Sequence, residues 1–340
     1  MQADRRKALQ WLGAGSLATT ASALGLGLGL GHARAQSGQS TASNYPSRPV
    51  RLVVPYPPGG ATDVLARALG EPLGKLWQRP VIVENRPGVG GMIGADVVAK
   101  AAPDGYTLLL ALPSLVQTPY MVAKPPFDPL RDLTAIGQLC TSSLVLTANS
   151  AMPRTLPEVV SLARSQPNKI SYGTYGIGTG AHLYMQVFTT GAGAEMLHVP
   201  YKGEAPIATD LIGGQISLGT LSPMTVRQHA RTGKLQPLAV TGNTRAPMLP
   251  DVPTFQELGY KGLDGPAWLG LFTTAGTPQP IVEKISADVE TVMAAADIRQ
   301  RMADLGLIVK TSRPAAFAAV AKADQAYWGN VIKEYNIRLD

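Results

Sequence analysis

The chain of 340 residues is 45% hydrophobic and 16% charged, with 30 Lys+Arg against 23 Asp+Glu for a net charge of +7. Arg5, Arg6, Lys7 and Arg34 face Asp4 alone in the first 35 residues, so the remainder carries a mild, dispersed excess, which excludes a nucleic-acid-binding protein. Length and apolar content fit two domains with sizeable cores, and exclude disorder, coiled coil and a multi-pass membrane protein.

Residues 1–35 read as an export signal. Asp4-Arg5-Arg6-Lys7 forms the charged region, 17–31 is uncharged and built of small and apolar residues, and Ala33-Arg34-Ala35 places small residues at the cleavage point. The paired arginines resemble a twin-arginine (Tat) signal, while Asp4 and Ala8 depart from its usual flanks, so the Tat and Sec routes both stay open. The mature chain is expected in the periplasm, cleaved near Ala35, with 36–45 as a flexible lead-in. The one cysteine, Cys140, lies in an apolar run and reads as a buried, inert thiol.

Strands and helices then alternate. A strand is predicted at 50–56, a helix at 61–77 from the spacing of Val64, Leu65, Ala68, Leu69, Leu73 and Leu76, a strand at 81–84, a helix at 91–101 and a strand at 106–112. Further strands are predicted at 144–148, 169–174, 196–199, 216–221, 235–241 and 268–273. Helices are predicted at 156–165, 181–190, 205–212, 225–232, 280–293 and 315–335, the last with Phe317, Val320, Ala321, Ala323 and Trp328 as its buried stripe. This alternation predicts an α/β fold with mostly parallel sheets. Apolar stretches at 143–149 and 267–274 are candidate crossings between lobes. They define an expected domain 1 of 46–142 plus 275–340 and a domain 2 of 143–274, with a cleft between.

Two segments share a strand–glycine turn–helix construction. One is Pro55-Tyr56-Pro57-Pro58-Gly59-Gly60-Ala61-Thr62-Asp63, the other Thr174-Tyr175-Gly176-Ile177-Gly178-Thr179-Gly180-Ala181-His182. A helix N-terminus offers unpaired N–H groups and partial positive charge, and glycine lets an anion reach them, so facing turns would grip a carboxylate from both ends. Each turn alone reads equally well as a tight βα connection. Asp63 reads either as an organiser of its loop or as a ligand contact. His182 stands out among the histidines because it falls in the first turn after the second glycine loop, whereas His198 and His229 read as packing residues.

Nucleotide loops do not fit. The glycines at 176–180 lack dinucleotide-fingerprint spacing, and Gly70-Glu71-Pro72-Leu73-Gly74-Lys75 lacks the Ser/Thr that a P-loop needs. No zinc-ligand spacing, nucleophile elbow or metalloprotease motif occurs, so no metal, cofactor or catalysis is expected.

Five ordered motifs carry a family resemblance: the 55–63 segment with Ala66-Arg67, Val83-Glu84-Asn85-Arg86-Pro87-Gly88 with Gly90-Gly91, Pro103-Asp104-Gly105-Tyr106, His198-Val199-Pro200-Tyr201-Lys202-Gly203, and Leu249-Pro250-Asp251-Val252-Pro253-Thr254. Together they resemble substrate-binding proteins of tripartite tricarboxylate transporters, the Bug family. The resemblance implies a periplasmic-binding-protein-like fold of type II, whose two α/β lobes close on a small carboxylate held by loop backbone and ordered waters. It implies a monomer that serves a membrane permease or a sensor protein. Carried over by position, Tyr56, Pro58, Gly59, Gly60, Ala61 and Asp63 would contact the ligand from one lobe, with Ser114 beside them. Thr174, Gly178, Thr179 and His182 would contact it from the other. Departures at Thr174-Tyr175 and 111–114 put larger, less polar groups near the cleft, which points to an aromatic or hydrophobic carboxylate. The alternative reading is an exported α/β hydrolase or isomerase acting on a small organic acid.

Overall fold

The computed structural model describes residues 44–265 and 267–339. The expected export signal and most of the lead-in lie outside the described residues. Tyr45, at the end of that lead-in, is buried: its hydroxyl donates to the Gly105 carbonyl at 2.6 Å and its ring packs against Trp77 and Tyr106.

The elements in chain order are β1 (Val50–Val54), α1 (Ala61–Trp77), β2 (Val81–Asn85), α2 (Met92–Ala99), β3 (Thr107–Ala111), a single turn α3 (Ser114–Gln117) that continues as a 3-10 turn Thr118–Met121, β4 (Leu133–Ser142), β5 (Val145–Asn149), α4 (Leu156–Ser165), β6 (Ser171–Thr174), α5 (Gly180–Gly191), β7 (Leu197–Pro200), α6 (Glu204–Ile212), β8 (Leu218–Leu221), α7 (Pro223–Ala230), β9 (Leu235–Val240), β10 (Ala267–Thr274), α8 (Gln279–Ala294), α9 (Ala296–Asp304), β11 (Ile308–Ser312) and α10 (Pro314–Glu334). They build two sheets, ordered β11-β4-β10-β3-β1-β2 and β7-β6-β8-β5-β9.

Both sheets are mixed, which corrects the expectation of mostly parallel sheets. β1 pairs in parallel with β2 and β3, as β6 does with β7 and β8. β10 runs antiparallel to β3 and β4, β11 antiparallel to β4, and β5 antiparallel to β8 and β9. Continuous apolar runs report burial on both faces, and a central antiparallel strand is buried as fully as a parallel one. The ten residues of β4 and the whole of β10 lie in the six-stranded sheet, while β5 lies in the five-stranded one. The chain therefore changes sheets at residues 143–144, directly after β4.

Each sheet carries its own core. Leu52, Leu65, Leu69, Leu108, Leu271 and Ile285 cluster on one face of the first sheet, and Leu146, Tyr172, Leu183, Phe188 and Leu218 cluster on the second. Cys140 is free and buried, and that burial pushes its thiol up to about 12, which makes it unreactive. The terminal helix α10 joins the two bodies. Its first half packs Phe317 and Ala321 against the other face of the first sheet, and its second half packs Trp328, Val331 and Ile332 into the second core. Val320 and Ala323, expected in its buried stripe, are exposed instead, because a helix that serves two cores in turn does not keep one continuous buried line. Gly270 in β10 is required by this packing: a Cβ there would lie 2.0 Å from Phe317 Cζ.

Candidate functional site

β1 delivers the chain to the first glycine turn. Pro57, Pro58, Gly59, Gly60 and Ala61 are all exposed. α1 begins at Gly60, which has no side chain and provides no cap, so the first-turn N–H groups stay available to an outside acceptor. The turn is held from below by Asp63, which is only 4% exposed. Its carboxylate accepts from the Gly59 N–H at 3.0 Å, from Arg67 at 3.1 and 3.0 Å and from the Asn85 amide at 3.0 Å. Burial pushes this carboxyl up, but the Arg67 guanidinium, the Gly59 N–H and Asn85 together outweigh it and hold it below the usual range. With both oxygens engaged, Asp63 organises the loop. Asn85 ties the same unit together by also donating to the Tyr56 carbonyl at 3.1 Å.

Tyr56 and Ser114 meet directly, hydroxyl to hydroxyl at 2.8 Å, and the Leu112 N–H donates to the same phenol oxygen at 3.3 Å. Burial pushes the Tyr56 phenol up to about 12, although those two hydrogen bonds act the other way.

The second turn, between β6 and α5, is a closed hydrogen-bonded unit. Thr179 caps α5, accepting from the His182 N–H at 3.4 Å and donating to the Gly176 carbonyl at 2.8 Å. The Gly178 N–H donates to His182 Nδ1 at 3.2 Å, which requires that nitrogen to be unprotonated. The Thr174 hydroxyl bonds His198 Nε2 at 2.7 Å. The His182 and His198 rings stack at 4.3 Å, and Tyr172 stacks on the far face of His198 at 5.0 Å. Burial lowers both histidines to about 4, with His198 adding repulsion on His182, so both are neutral at pH 7. Thr174 is fully buried, and Tyr175 is a partly buried residue packed against the second-lobe cluster that includes Val145, Ile207 and Leu211.

The segment from Ser114 to Met121 connects the two turns. At one end Ser114 touches Tyr56. At the other, a Cβ on Gly178 would lie 2.9 Å from the Met121 sulfur and 2.8 Å from Leu339 Cδ2. The Leu339 N–H donates to the Met121 carbonyl, so the C-terminal tail closes this junction.

The positions read from sequence thus fall into two groups. Tyr56, Pro58, Gly59, Gly60, Ala61, Asp63 and Ser114 form one continuous unit, and Thr174, Gly178, Thr179 and His182 form the other. Sequence reasoning missed Asn85, Met121 and the partnership of His198 with Thr174. Asn85 and His198 stand inside the motifs already singled out, whereas nothing local to Met121 marks it. Among the described residues no three His, Cys, Asp or Glu side chains converge on a metal position.

An uncapped helix start on an exposed glycine turn offers unpaired backbone donors of the kind that suit an anion. Comparison with known proteins gives that chemistry its setting. Residues 65–337 match the tripartite tricarboxylate transporter family receptor.

The chain belongs to this receptor family. A relative from Pseudomonas sp. strain P51, the UPF0065 protein in the tcbD-tcbE intergenic region, is 35% identical over 299 residues, covering 87% of this receptor and 89% of the relative. Among solved structures, the periplasmic binding protein BugD is 34% identical with a TM-score of 0.76, covering 86% of this receptor and 99% of BugD. The R. palustris protein Rpa4515, solved with adipate, is 30% identical with a TM-score of 0.78, over 86% and 99% of the two chains. The receptor is a two-lobed α/β periplasmic solute-binding protein, and its relatives are receptors rather than hydrolases or isomerases.

Proposed function

We propose that the receptor captures a small carboxylate between its two glycine turns and presents it to a membrane permease of the tripartite type or to a sensor protein. The observation that carries the site is the exposed, uncapped start of α1, whose N–H groups Asp63 and Asn85 hold in one arrangement without themselves offering the ligand a free negative charge. The adipate held by the R. palustris relative supports a carboxylate as the ligand class. In this reading Tyr56, Pro58, Gly59, Gly60, Ala61 and Ser114 face the ligand, and Asp63 acts through the loop. Thr174, Gly178, Thr179 and His182 shape the second turn. Export with cleavage near Ala35 and a division into 46–142 plus 275–340 and 143–274 complete the proposal, with the pairing of β10 with β3 and β4 favouring an earlier return to the first domain's sheet, at residue 267. The departures at Thr174-Tyr175 and 111–114 extend the proposal to an aromatic or hydrophobic carboxylate as the preferred cargo, with the Thr174 hydroxyl bonded into its own turn at Gly176.

A thermal-shift series on the mature protein with mono-, di- and tricarboxylates, aromatic acids and acidic amino acids tests this. A ligand at 100 times its Kd adds about 2.7 kcal/mol, a rise of several degrees in Tm. A shift with at least one acid that Gly59→Val abolishes is expected. Retained binding in that variant removes the first turn from the site.

A further inference from the structure

Two stretches of chain pass from one lobe to the other and are joined by a single carboxylate. The first runs from Leu263, in the core of the five-stranded sheet, to Trp268, in the core of the six-stranded one. The second is α10, which makes the reverse passage between Ala321 and Trp328. Asp324 stands midway on that helix. Its Oδ2 accepts from the Trp268 indole N–H at 2.9 Å, and Trp328, one turn further on, donates its indole N–H to the same carboxylate. Trp268 packs edge-on to Phe317 on the first sheet, and Trp328 packs edge-on to Tyr184 of α5 in the second lobe. The crossing segment is also held by its carbonyls, Gly262 by the Tyr327 hydroxyl at 2.9 Å and Gly265 by the Tyr184 hydroxyl at 2.5 Å.

The titratable groups around Asp324 are Tyr184 from α5, Tyr327 from α10 and Asp264 from the crossing segment. Of the other elements packed on α10, β4 offers only Cys140, which belongs to the opposite face of its sheet, and 114–121 offers Tyr120, which lies against Gly329. α5 adds His182, bonded into the second turn. α8 meets α10 at Arg313, about three turns before Asp324, where Arg313 pairs with Glu283 and Glu290. Lys322, two positions earlier, is exposed on the other side of the helix. Among the described residues Asp324 therefore has two neutral donors for partners and no counter-ion. Burial pushes its carboxyl up to about 6, although the two indoles act the other way.

We propose that Asp324 is the positioning residue of the hinge, a carboxylate whose two indole bonds tie one lobe to the other and whose ionisation releases that tie. The lobes turn about the segments that carry the chain between them, and a rotation that parts Trp268 from Trp328 admits water to the carboxylate. A buried charge without a counter-ion gains by that hydration, whereas a neutral carboxyl does not. Protonation thus favours the arrangement described here and ionisation favours the parted one. The hinge needs no ligand to be tested; its effect on affinity rests on the carboxylate-receptor reading.

The test follows the tryptophan emission of the unliganded protein, and its affinity for whichever acid stabilises it most, from about pH 5 to about pH 8. Beyond residue 35 the chain has Trp77, Trp268 and Trp328, so two of these three tryptophans report on Asp324. In wild type the emission is expected to titrate with a midpoint near 6, moving to longer wavelength as the carboxylate ionises and water reaches the indoles. Asp324→Asn, which keeps the shape but cannot ionise, is expected to show no such step. Trp268→Phe, which removes one donor to the ionised form, is expected to raise the midpoint. The ratio of wild-type to Asp324→Asn affinity, in which any titration of the acid itself cancels, is expected to change by about threefold or more across that midpoint. An emission step absent from wild type, or present unchanged in Asp324→Asn, overturns the inference, and so does a level affinity ratio beside a clear emission step. If Asp324→Asn does not fold, Trp268→Phe decides, and an unmoved midpoint overturns the inference. Failure of every acid to bind removes the carboxylate reading alone, and the emission step with its shift in Trp268→Phe then decides on Asp324.

Discussion

Alanine at Gly59 and at Gly178 separates a turn that faces solvent from one that is packed shut. Both glycines have left-handed backbone, φ +86° and +76°, so either alanine adds about 1–2 kcal/mol of strain. Their surroundings differ. A Cβ on Gly59 meets nothing within 4 Å, whereas one on Gly178 comes within 2.8 Å of Leu339 Cδ2 and 2.9 Å of the Met121 sulfur. Those atoms are the ends of flexible side chains, so the clash is relieved by repacking, at roughly 1–3 kcal/mol typical of an overfilled site. Gly178→Ala is thus expected to lose about 2–5 kcal/mol and Gly59→Ala about 1–2 kcal/mol. Urea denaturation of both variants, with m-values compared to exclude a change in the unfolded state, measures the difference. Titration with the carboxylate panel should show the reverse order of damage per kcal/mol. If the proposed site holds, the methyl of Gly59→Ala enters the space of the anion and is expected to block binding in a protein that is still well folded. Equal destabilisation by the two alanines would refute the packing of Met121 and Leu339 on the second turn. Unchanged affinity in Gly59→Ala would refute the approach of the ligand to α1.

Gly270→Ala is expected to destabilise by about 3 kcal/mol or more, since its Cβ would fall inside the Phe317 ring; adding Phe317→Leu should recover part of that loss, and additive losses in a double-mutant cycle would refute the contact. The histidine stack makes acid stability a property of the second turn. Both imidazoles titrate near 4 when folded, below the ordinary histidine value of the unfolded chain. Their contribution is therefore intact above about pH 6.5 and lost as the pH falls toward 4, because the unfolded chain binds protons first. Wild type should lose several kcal/mol more than His182→Gln/His198→Gln over that interval, with both imidazoles contributing because both are shifted down to a similar value. Parallel stability–pH curves for the two proteins would show that the pair is not desolvated.

The helices with long apolar spacing were legible in the sequence. α1 spans the predicted 61–77, and α10 lies one residue from its predicted bounds at either end. α9 and β11 gave no signal, because α9 buries only Ile298 and Met302, and β11 is an edge strand with no fully buried residue. β4 escaped because its polar residues Thr134, Gln138 and Thr141 interrupt the apolar run that marks a central strand.

The turns and their chemistry were determined by the sequence itself. Gly59 and Gly60 before Ala61, and Thr179 before Gly180, are local features whose physics acts within four residues, so a linear reading finds them. What the tertiary structure alone decided are the relations between distant segments. Asp63 is committed to Asn85, His198 is stacked on His182, Met121 is seated against Gly178, and Gln117 is buried without a hydrogen-bond partner. Whether a polar group is satisfied depends on every atom that packs around it. That property belongs to the folded surface and leaves no trace in the order of residues along the chain.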